Sequence, residues 1–437
     1  MALTKISTDG VKDDAITKAK IPADQIEASE LANNAVDTNA IQDDAVTEDK
    51  LANSINTAIA ANTAKDLTAL SASNLTSGTV PDARFPATLP AVSGANLTNL
   101  PAGGKVSNLV INGAMNVAQR GTSSTSNGYK TVDRITPYTD NIGVTPTYSQ
   151  VDVTSGGAYD SGFRKAWQVT KGAGTANNAS QVNIGHKIEA QDIANSGWKY
   201  TDPNSYITIS FWLKTSVSNH NPQLLVQNGD HSGSATKFYF VDIPVLTANT
   251  WTKITHSIPG HANQVYNNDN GNGLEFQIIP WYGTDYTDSG NTPNAWGPFG
   301  TKPVNSTWLT TNGSTFQVTG MQIEVGEVAT DFEHQCYQYH LYRCYRYYIQ
   351  RGFEALMGSK SGQVGFPTVQ FPVVMRDTAS VFIQRSGNDH EMRNQNDGSA
   401  LTGVSTYNQY DYGFASRGSN GSPNIIYAST YYADAEL

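Results

Sequence analysis

Tyr206-Ile-Thr-Ile-Ser-Phe-Trp-Leu213 is a run of β-branched and aromatic residues bounded by polar, turn-forming ones. Such runs read as strands. The same signal returns in Gln223-Leu-Leu-Val-Gln227, Lys237-Phe-Tyr-Phe-Val241, Thr250-Trp-Thr-Lys-Ile254, Leu274-Glu-Phe-Gln-Ile-Ile279 and Thr315-Phe-Gln-Val-Thr-Gly-Met-Gln-Ile-Glu324. Gly, Asn and Ser turns separate them. Short strands at regular spacing predict a two-sheet sandwich or jelly roll over residues 105–336. A second β-pattern follows in Gly365-Phe-Pro-Thr-Val-Gln-Phe-Pro-Val-Val-Met-Arg376 and Ser380-Val-Phe-Ile-Gln384. It ends in Asn424-Ile-Ile-Tyr427 and Tyr431-Tyr-Ala-Asp-Ala-Glu-Leu437. Residues 337–437 are therefore expected to form a smaller, exposed β tip domain.

Upstream the composition breaks. No Phe, Trp or Tyr precedes Phe85, and residues 1–104 carry 7 basic and 13 acidic groups. A segment without aromatics is not an ordinary globular domain. Ile6, Val11, Ile16, Ile21, Ile26, Leu31, Val36, Ile41, Val46 and Leu51 lie five residues apart without a slip. On an α-helix five residues advance about 500°, so these side chains fan around the cylinder. On a strand an odd period sends them to alternate faces. One chain has no side on which to bury them, whereas chains wound about a symmetry axis do. Residues 1–51 thus read as a fibrous shaft with those ten residues at a trimer core, three chains suiting a thin fibre. A disordered acidic leader, or a segment lying in another protein's groove, are the competing readings. The Ala-rich stretch 52–70, with Ile55, Ile59 and Asn62, reads as a short helix or coiled coil. The five-residue spacing resumes at Leu70, Leu75, Val80 and Phe85, and residues 71–104 read as further shaft with a hinge at Pro101-Ala-Gly-Gly104.

The net charge of −10, with no Lys/Arg cluster, argues against nucleic acid and anionic membranes as partners. Cys336 and Cys344 are the two cysteines, so no disulfide framework is expected. No apolar run approaches the ~20 residues that span a bilayer, and Met1-Ala-Leu-Thr-Lys5 lacks an apolar signal core. Synthesis in a cytoplasm is expected.

Trp281, Tyr282, Tyr286, Trp296 and Trp308 fall in a Gly/Asn/Pro-rich stretch, with Asp285 and Asp288 among them. Aromatic faces stack on the C–H faces of sugars, and Asp and Asn bond to hydroxyls. These residues, Asp288 aside, are the candidate glycan-binding set. Trp212 and Trp251 lie in strand patterns and are expected in the core. Asn267-Asn-Asp-Asn-Gly-Asn-Gly-Leu-Glu275 could offer Asp269 and Glu275 to Ca²⁺, but it lacks the spacing of a calcium loop, and a polar hairpin is preferred. Cys336, His340 and Cys344 would share one face of a helix over 334–348. Thiolate and imidazole suit soft metals, yet the surrounding tyrosines favour a packed interface. No metal and no cofactor is expected. There is no Gly-x-Ser-x-Gly, P-loop or His-Glu-x-x-His. Glu324, Glu327, Asp331 and Glu333 are close in sequence and read as solvated charges rather than as the facing carboxylate pair of a glycosidase.

Asn108-Leu-Val-Ile-Asn-Gly-Ala-Met-Asn-Val-Ala-Gln-Arg120 and Val132-Asp-Arg134 resemble the opening of carbohydrate-binding-module-like domains in phage tail proteins. Ile209-Ser-Phe-Trp-Leu-Lys214, Trp251 and Val318-Thr-Gly-Met-Gln-Ile-Glu-Val-Gly326 are similar to later blocks of that module. Asp331-Phe-Glu-His334 and Leu341-Tyr-Arg-Cys-Tyr-Arg-Tyr-Tyr348 resemble its closing segment. Ala72-Ser-Asn-Leu-Thr-Ser-Gly-Thr-Val-Pro-Asp-Ala-Arg84 resembles a recurrent tail-fibre shaft element, and Asp434-Ala-Glu-Leu437 a tail-protein terminus. The resemblance implies a bacteriophage tail fibre, or receptor-binding protein: a homotrimer in the virion tail with a jelly-roll glycan-binding domain. Its partners would be other virion tail proteins, through the N-terminus, and a host surface glycan. It carries over no set of binding residues. The expected function is non-enzymatic adsorption to the host. The alternatives are an enzymatic tailspike that depolymerises capsule or lipopolysaccharide, and a head or collar decoration fibre.

Overall fold

The computed structural model describes residues 53–63, 108–304, 306–357, 368–385, 388–389, 391–419 and 425–437. The chain divides into two units, Met1–Leu97 and Thr98–Leu437. In the first, the helix expected within 52–70 is present as α1, Asn53–Thr63, with Ile55 and Ile59 exposed. The repeat from Ile6 to Leu51, its resumption at Leu70 to Phe85 and the hinge at Pro101–Gly104 lie outside the described residues. Among the described residues no helix is long and apolar enough to cross a membrane.

The second unit is built from antiparallel sheets, with short helices between strands. The first sheet has the order β1-β3-β4-β12-β6-β9. Its strands are β1 (Ser123–Ser124), β3 (Thr147–Asp152), β4 (Lys165–Thr170), β6 (Tyr206–Thr215), β9 (Thr252–Pro259) and β12 (Thr315–Val325). The second has the order β11-β8-β7-β10-β5-β2. It comprises β2 (Thr136–Asp140), β5 (Gln181–Glu189), β7 (Gln223–Asn228), β8 (Phe238–Asp242), β10 (Asn272–Tyr282) and β11 (Trp296–Gly297).

Alternation along each strand decides what lies between the sheets. On β6, Ile207, Ile209, Phe211 and Leu213 point inward and are buried. On β5, Val182, Ile184 and Ile188 do so, and on β10, Leu274, Phe276 and Ile278. All of these belong to one continuous apolar core, so the sheets pack face to face as a β-sandwich. Each such side chain contributes about 1.5–3 kcal/mol on leaving water.

The segment expected to form an exposed tip makes a third, eight-stranded sheet. Its strands are β13 (Tyr348–Met357), β14 (Thr368–Gln370), β15 (Ser380–Arg385), β16 (Asn388–Asp389), β17 (Met392–Asn394), β18 (Ala400–Tyr407), β19 (Gly413–Ser419) and β20 (Ile425–Asp434). β20 is its spine, pairing with β13 over ten residues on one side and with β15 and β17 on the other. Its own core gathers Ile349, Phe371, Met375, Ile383, Phe414 and Tyr431.

This sheet is tied to the sandwich rather than standing clear of it. Arg134, fully buried, pairs with Glu436, donates to the Lys187 carbonyl at 2.6 Å and lies 3.5 Å above the Tyr347 ring. Arg120 reaches Asp434 at 3.0 Å and Glu436 at 3.2 Å and covers the Tyr348 ring. Arg346 grips Glu189 through two bonds of 2.6 Å, and the Tyr347 hydroxyl donates to the same carboxylate. Four of the blocks quoted for the family resemblance thus supply structural clamps, through Arg120, Arg134, Arg346 and Asp434–Glu436. Asn108 belongs with them: its side chain bonds Val110 N–H, Ile323 N–H and the Met321 carbonyl, fixing the first residues of the sandwich to β12. The turn leading into β10 takes part as well, for Asn270 and Arg376 bond each other's main chains.

Candidate functional site

The outward positions of the second sheet form a groove. On β5 the residues between the core positions are Gln181, Asn183, Gly185 and Lys187, and on β10 they are Glu275 and Gln277. Register places Gly185 beside Gln277 on one side and Thr136 of β2 on the other. A β-carbon at 185 would lie 3.2 Å from the Thr136 methyl and 3.3 Å from a Glu275 carboxylate oxygen, so glycine keeps the middle of the floor low.

The other half of this face is roofed. Leu225, Phe240 and Ile279 also point outward but are buried. Residues 283–304 fold over them: Asn294 N–H donates to the Phe240 carbonyl at 2.7 Å, and Phe299 packs edge-on to Phe238 at 5.4 Å. The edge of that roof is aromatic, with Tyr282, Tyr286 and Phe299 facing Tyr138 of β2. Between these walls lies a cavity of about 420 Å³ floored by Gln181, Asn183, Lys187, Glu275 and Gln277.

Its polar groups are held in place. The Tyr282 hydroxyl receives a bond from Asn183 at 3.1 Å and donates to Gln277 at 3.3 Å, and Gln277 donates to Glu275 at 3.0 Å. Burial pushes the Tyr282 phenol up, so it stays a neutral donor and acceptor. The Tyr282 and Tyr286 rings pack at 5.6 Å. Amides, an ammonium and a carboxylate between aromatic walls can bond hydroxyls and stack on apolar ring faces. Among the described residues lining the groove, Glu275 is the single carboxylate.

The residues proposed from sequence divide. Tyr282 and Tyr286 line the groove. Trp281 is half-buried against the sandwich core. Asp285 is exposed, with its N–H on the Asn178 carbonyl. Trp296 is half-buried on the edge strand β11, packed on Tyr239 at 5.4 Å with its indole N–H on the Pro259 carbonyl. Trp308 is corrected: it is fully buried, stacked on His220 at 5.8 Å and edge-on to Phe316, and no ligand reaches it. The groove residues absent from the glycan-binding set read from the sequence are Thr136, Tyr138, Gln181, Asn183, Lys187, Gln277, Phe299 and Glu275, the last named there only as a possible Ca²⁺ ligand. The alternation of Gln181-Val-Asn-Ile-Gly-His-Lys-Ile188 was the signal available for β5.

A second cavity, of about 460 Å³, lies outside the first sheet beside Trp212. Phe163, Phe332 and His334 pack on one another at 4.8–5.1 Å there, and the His334 ring bonds the Ser161 carbonyl. They hold the loop around 157–163 onto the sheet rather than offering a flat face. Trp251 is buried in the same small cluster, while Trp212 is half-buried at the cavity wall, so it is not the core residue expected.

Of the helical trio, Cys336 is exposed, whereas His340 and Cys344 are buried on α4, Tyr337–Tyr345 (α2, Gly157–Asp160, and α3, Ala190–Ala194, precede it). Burial pushes the Cys344 thiol up and the His340 imidazole down. Asp269 accepts its own turn's Gly271 N–H at 2.9 Å. Among the described residues no group of three or more His, Cys, Asp or Glu could hold a metal ion. Glu324 is engaged by Thr330, and Glu333 by Asn108 N–H and Gln335.

No protein-family model and no curated protein matches the chain. Solved structures similar to it include the enzymatically active domain of bacteriophage CBA120 tailspike protein 4, at 10% identity and a TM-score of 0.27, covering 50% of this chain and 21% of that one. Others are the family 11 carbohydrate-binding module of a Clostridium thermocellum cellulosomal cellulase (12% identity, TM-score 0.23, 49% and 98% covered) and the N-terminal cellulose-binding domain of Cellulomonas fimi β-1,4-glucanase C (13%, 0.23, 49% and 99%). TM-scores this low do not establish a shared fold, and the sandwich rests on the strand pairings above.

Proposed function

We propose that this chain is a trimeric tail fibre of a bacterial virus that adsorbs to a host surface glycan through the groove on the second sheet, without cutting it. The carrying observation is the groove itself: outward amides and charges of β5 and β10 between the rings of Tyr138 and Tyr282–Tyr286. The family resemblance of the blocks between Asn108 and Tyr348 supports the virion setting, and the five-residue repeat supports the trimer. Among the described residues lining the groove Glu275 is the single carboxylate, which supports binding there over hydrolysis, because glycosidases commonly use two. Affinity per groove is weak, since a sugar exchanges water hydrogen bonds for protein ones. Three grooves per fibre make attachment firm by raising effective concentration.

Tyr138→Ala/Gln277→Ala tests the site. Retention on immobilised host polysaccharide should fall about tenfold, roughly 1.4 kcal/mol, with the fold unchanged by circular dichroism. Unchanged retention overturns the groove assignment. Release of reducing ends from that polysaccharide, lost on Glu275→Gln, would make the protein a depolymerase.

A further inference from the structure

We propose that the third sheet carries a second, separate sugar-binding platform, formed by Tyr410 and Tyr412 and selective for uncharged pyranose rings. It goes beyond the groove reading and stands whether or not the groove binds.

Tyr410 and Tyr412 are 44% and 55% exposed, and their rings stack in parallel, 5.0 Å apart at an interplanar angle of 3°. Rigid, partly exposed aromatic rings are the anchors that recognition surfaces use. Here the arrangement is fixed by the backbone. Phe371 N–H donates to the Tyr412 carbonyl at 2.9 Å, Met375 N–H to the Asp411 carbonyl at 2.7 Å, and Tyr410 N–H to the Gly413 carbonyl at 2.9 Å. Phe371 and Met375 are core residues, so the loop is pinned to the apolar core beside the β14 edge of its sheet. Gly413 permits this, for a β-carbon there would sit 2.4 Å from the Val369 carbonyl oxygen. The Gln409 side chain adds bonds to Val381 N–H and Thr406. A ligand therefore meets a preformed surface and loses little freedom in ordering it.

The chemistry of the surroundings selects the ligand. The two rings border a cavity of about 240 Å³ whose polar side chains include Thr368, Gln370 and Asn408. None of the described residues lining it is charged. Hydroxyl and amide groups beside an aromatic slab suit a sugar with apolar C–H faces and neutral hydroxyls. The groove on the second sheet differs, for Lys187 and Glu275 line it.

The test uses the full chain and saturation-transfer NMR with the methyl glycosides of glucose, galactose and N-acetylglucosamine. The background is the groove-disabled Tyr138→Ala/Gln277→Ala protein. Saturation should still reach the ring C–H protons of at least one glycoside, and adding Tyr410→Ala/Tyr412→Ala should abolish it. Tyr410→Ala/Tyr412→Ala in the otherwise native chain leaves groove binding in place, so failure of one site is told apart from failure of the other. Absence of transfer in the groove-disabled protein overturns the proposal, as does transfer that survives loss of both tyrosines. A fall in oligomer mass on Tyr410→Ala/Tyr412→Ala would identify the pair as a subunit contact and overturn it too. Tyr412→Ser, a smaller change at the more exposed ring, repeats the measurement should the double variant misfold.

Discussion

Glu436→Gln should loosen the third sheet from the sandwich. Arg134 is fully buried and Glu436 nearly so, and the pair sits under Tyr347 with Arg120 alongside. Burial works against a charged guanidinium, and the Glu436 carboxylate beside it is the largest influence that offsets this for Arg134. Removing one partner of a buried pair leaves the other uncompensated, at a cost of about 3–5 kcal/mol. The substituted amide keeps an acceptor but not the charge, which places the loss near the lower end, ~3 kcal/mol. Across Thr98–Leu437 the unfolding entropy is roughly 0.7 kcal/mol/K, so each kcal/mol lowers Tm by about 1.4 °C, giving a drop of about 4 °C. Urea unfolding followed by Trp fluorescence measures the loss, and limited proteolysis should release a fragment cut near residue 336 sooner than in the native chain. Arg134→Met/Glu436→Leu is the control. An apolar pair of similar volume often replaces a buried ion pair without loss, and Arg120 retains Asp434 at 3.0 Å. A Glu436→Gln penalty below about 0.5 kcal/mol, the size of a surface pair, would refute this account. A double variant as unstable as the single one would do the same.

Other perturbations have equally definite outcomes. Burial pushes Asp133 up to about 6 from an ordinary 3.8, against the hydrogen bonds from Gln119 and the charge of Arg120. Its folded value lies above its unfolded one, so its stabilising contribution is complete below about pH 4 and is lost as pH rises through 6; Asp133→Asn should remove that slope, worth up to about 3 kcal/mol, from unfolding free energies measured between pH 4 and 7. Trp308→Ala should cost about 3–5 kcal/mol by opening a core cavity, whereas Tyr286→Ala should lower glycan retention with little change in Tm; equal stability losses would contradict their placement. On the proposed trimer, Val36→Asp should bring like charges together and shift light-scattering mass from three times 47.1 kDa towards one, while Asp37→Ser should not.

The strands of the sandwich were legible because their alternation is local. Tyr206–Leu213, Gln223–Gln227 and Thr315–Glu324 each fall inside the strands observed, Tyr206–Thr215, Gln223–Asn228 and Thr315–Val325. The site was less so. Aromatic residues clustered in sequence over 281–308, but burial separated them: Trp308 went to the core, Trp281 packed against it, and Tyr282 and Tyr286 kept a wall of the groove. Cross-strand neighbours such as Tyr138, Asn183 and Gln277 lie far apart in the chain and meet only through the register of β2, β5 and β10. Tyr410 and Tyr412 carried no periodic signal, because their loop is set by backbone bonds to Phe371 and Met375.

One strand joins the two halves of this picture. β5 supplies the groove floor at Gln181, Asn183 and Lys187, and two residues further it supplies Glu189 to Arg346 and Tyr347. Lys187 belongs to both: it lines the groove, its ammonium donates to the Leu437 main-chain oxygen at 3.2 Å, and its carbonyl accepts from Arg134. Docking of the third sheet therefore braces the end of the groove floor: Lys187 pairs with Glu275 of β10, its carbonyl accepts from Arg134, and Arg134 is in turn paired with Glu436. The groove floor is thus braced by strand pairing within the sandwich and by buried ion pairs towards the third sheet. Such bracing would serve the proposed adhesin, whose weak single contacts gain firmness only if several are occupied at once in a fixed geometry.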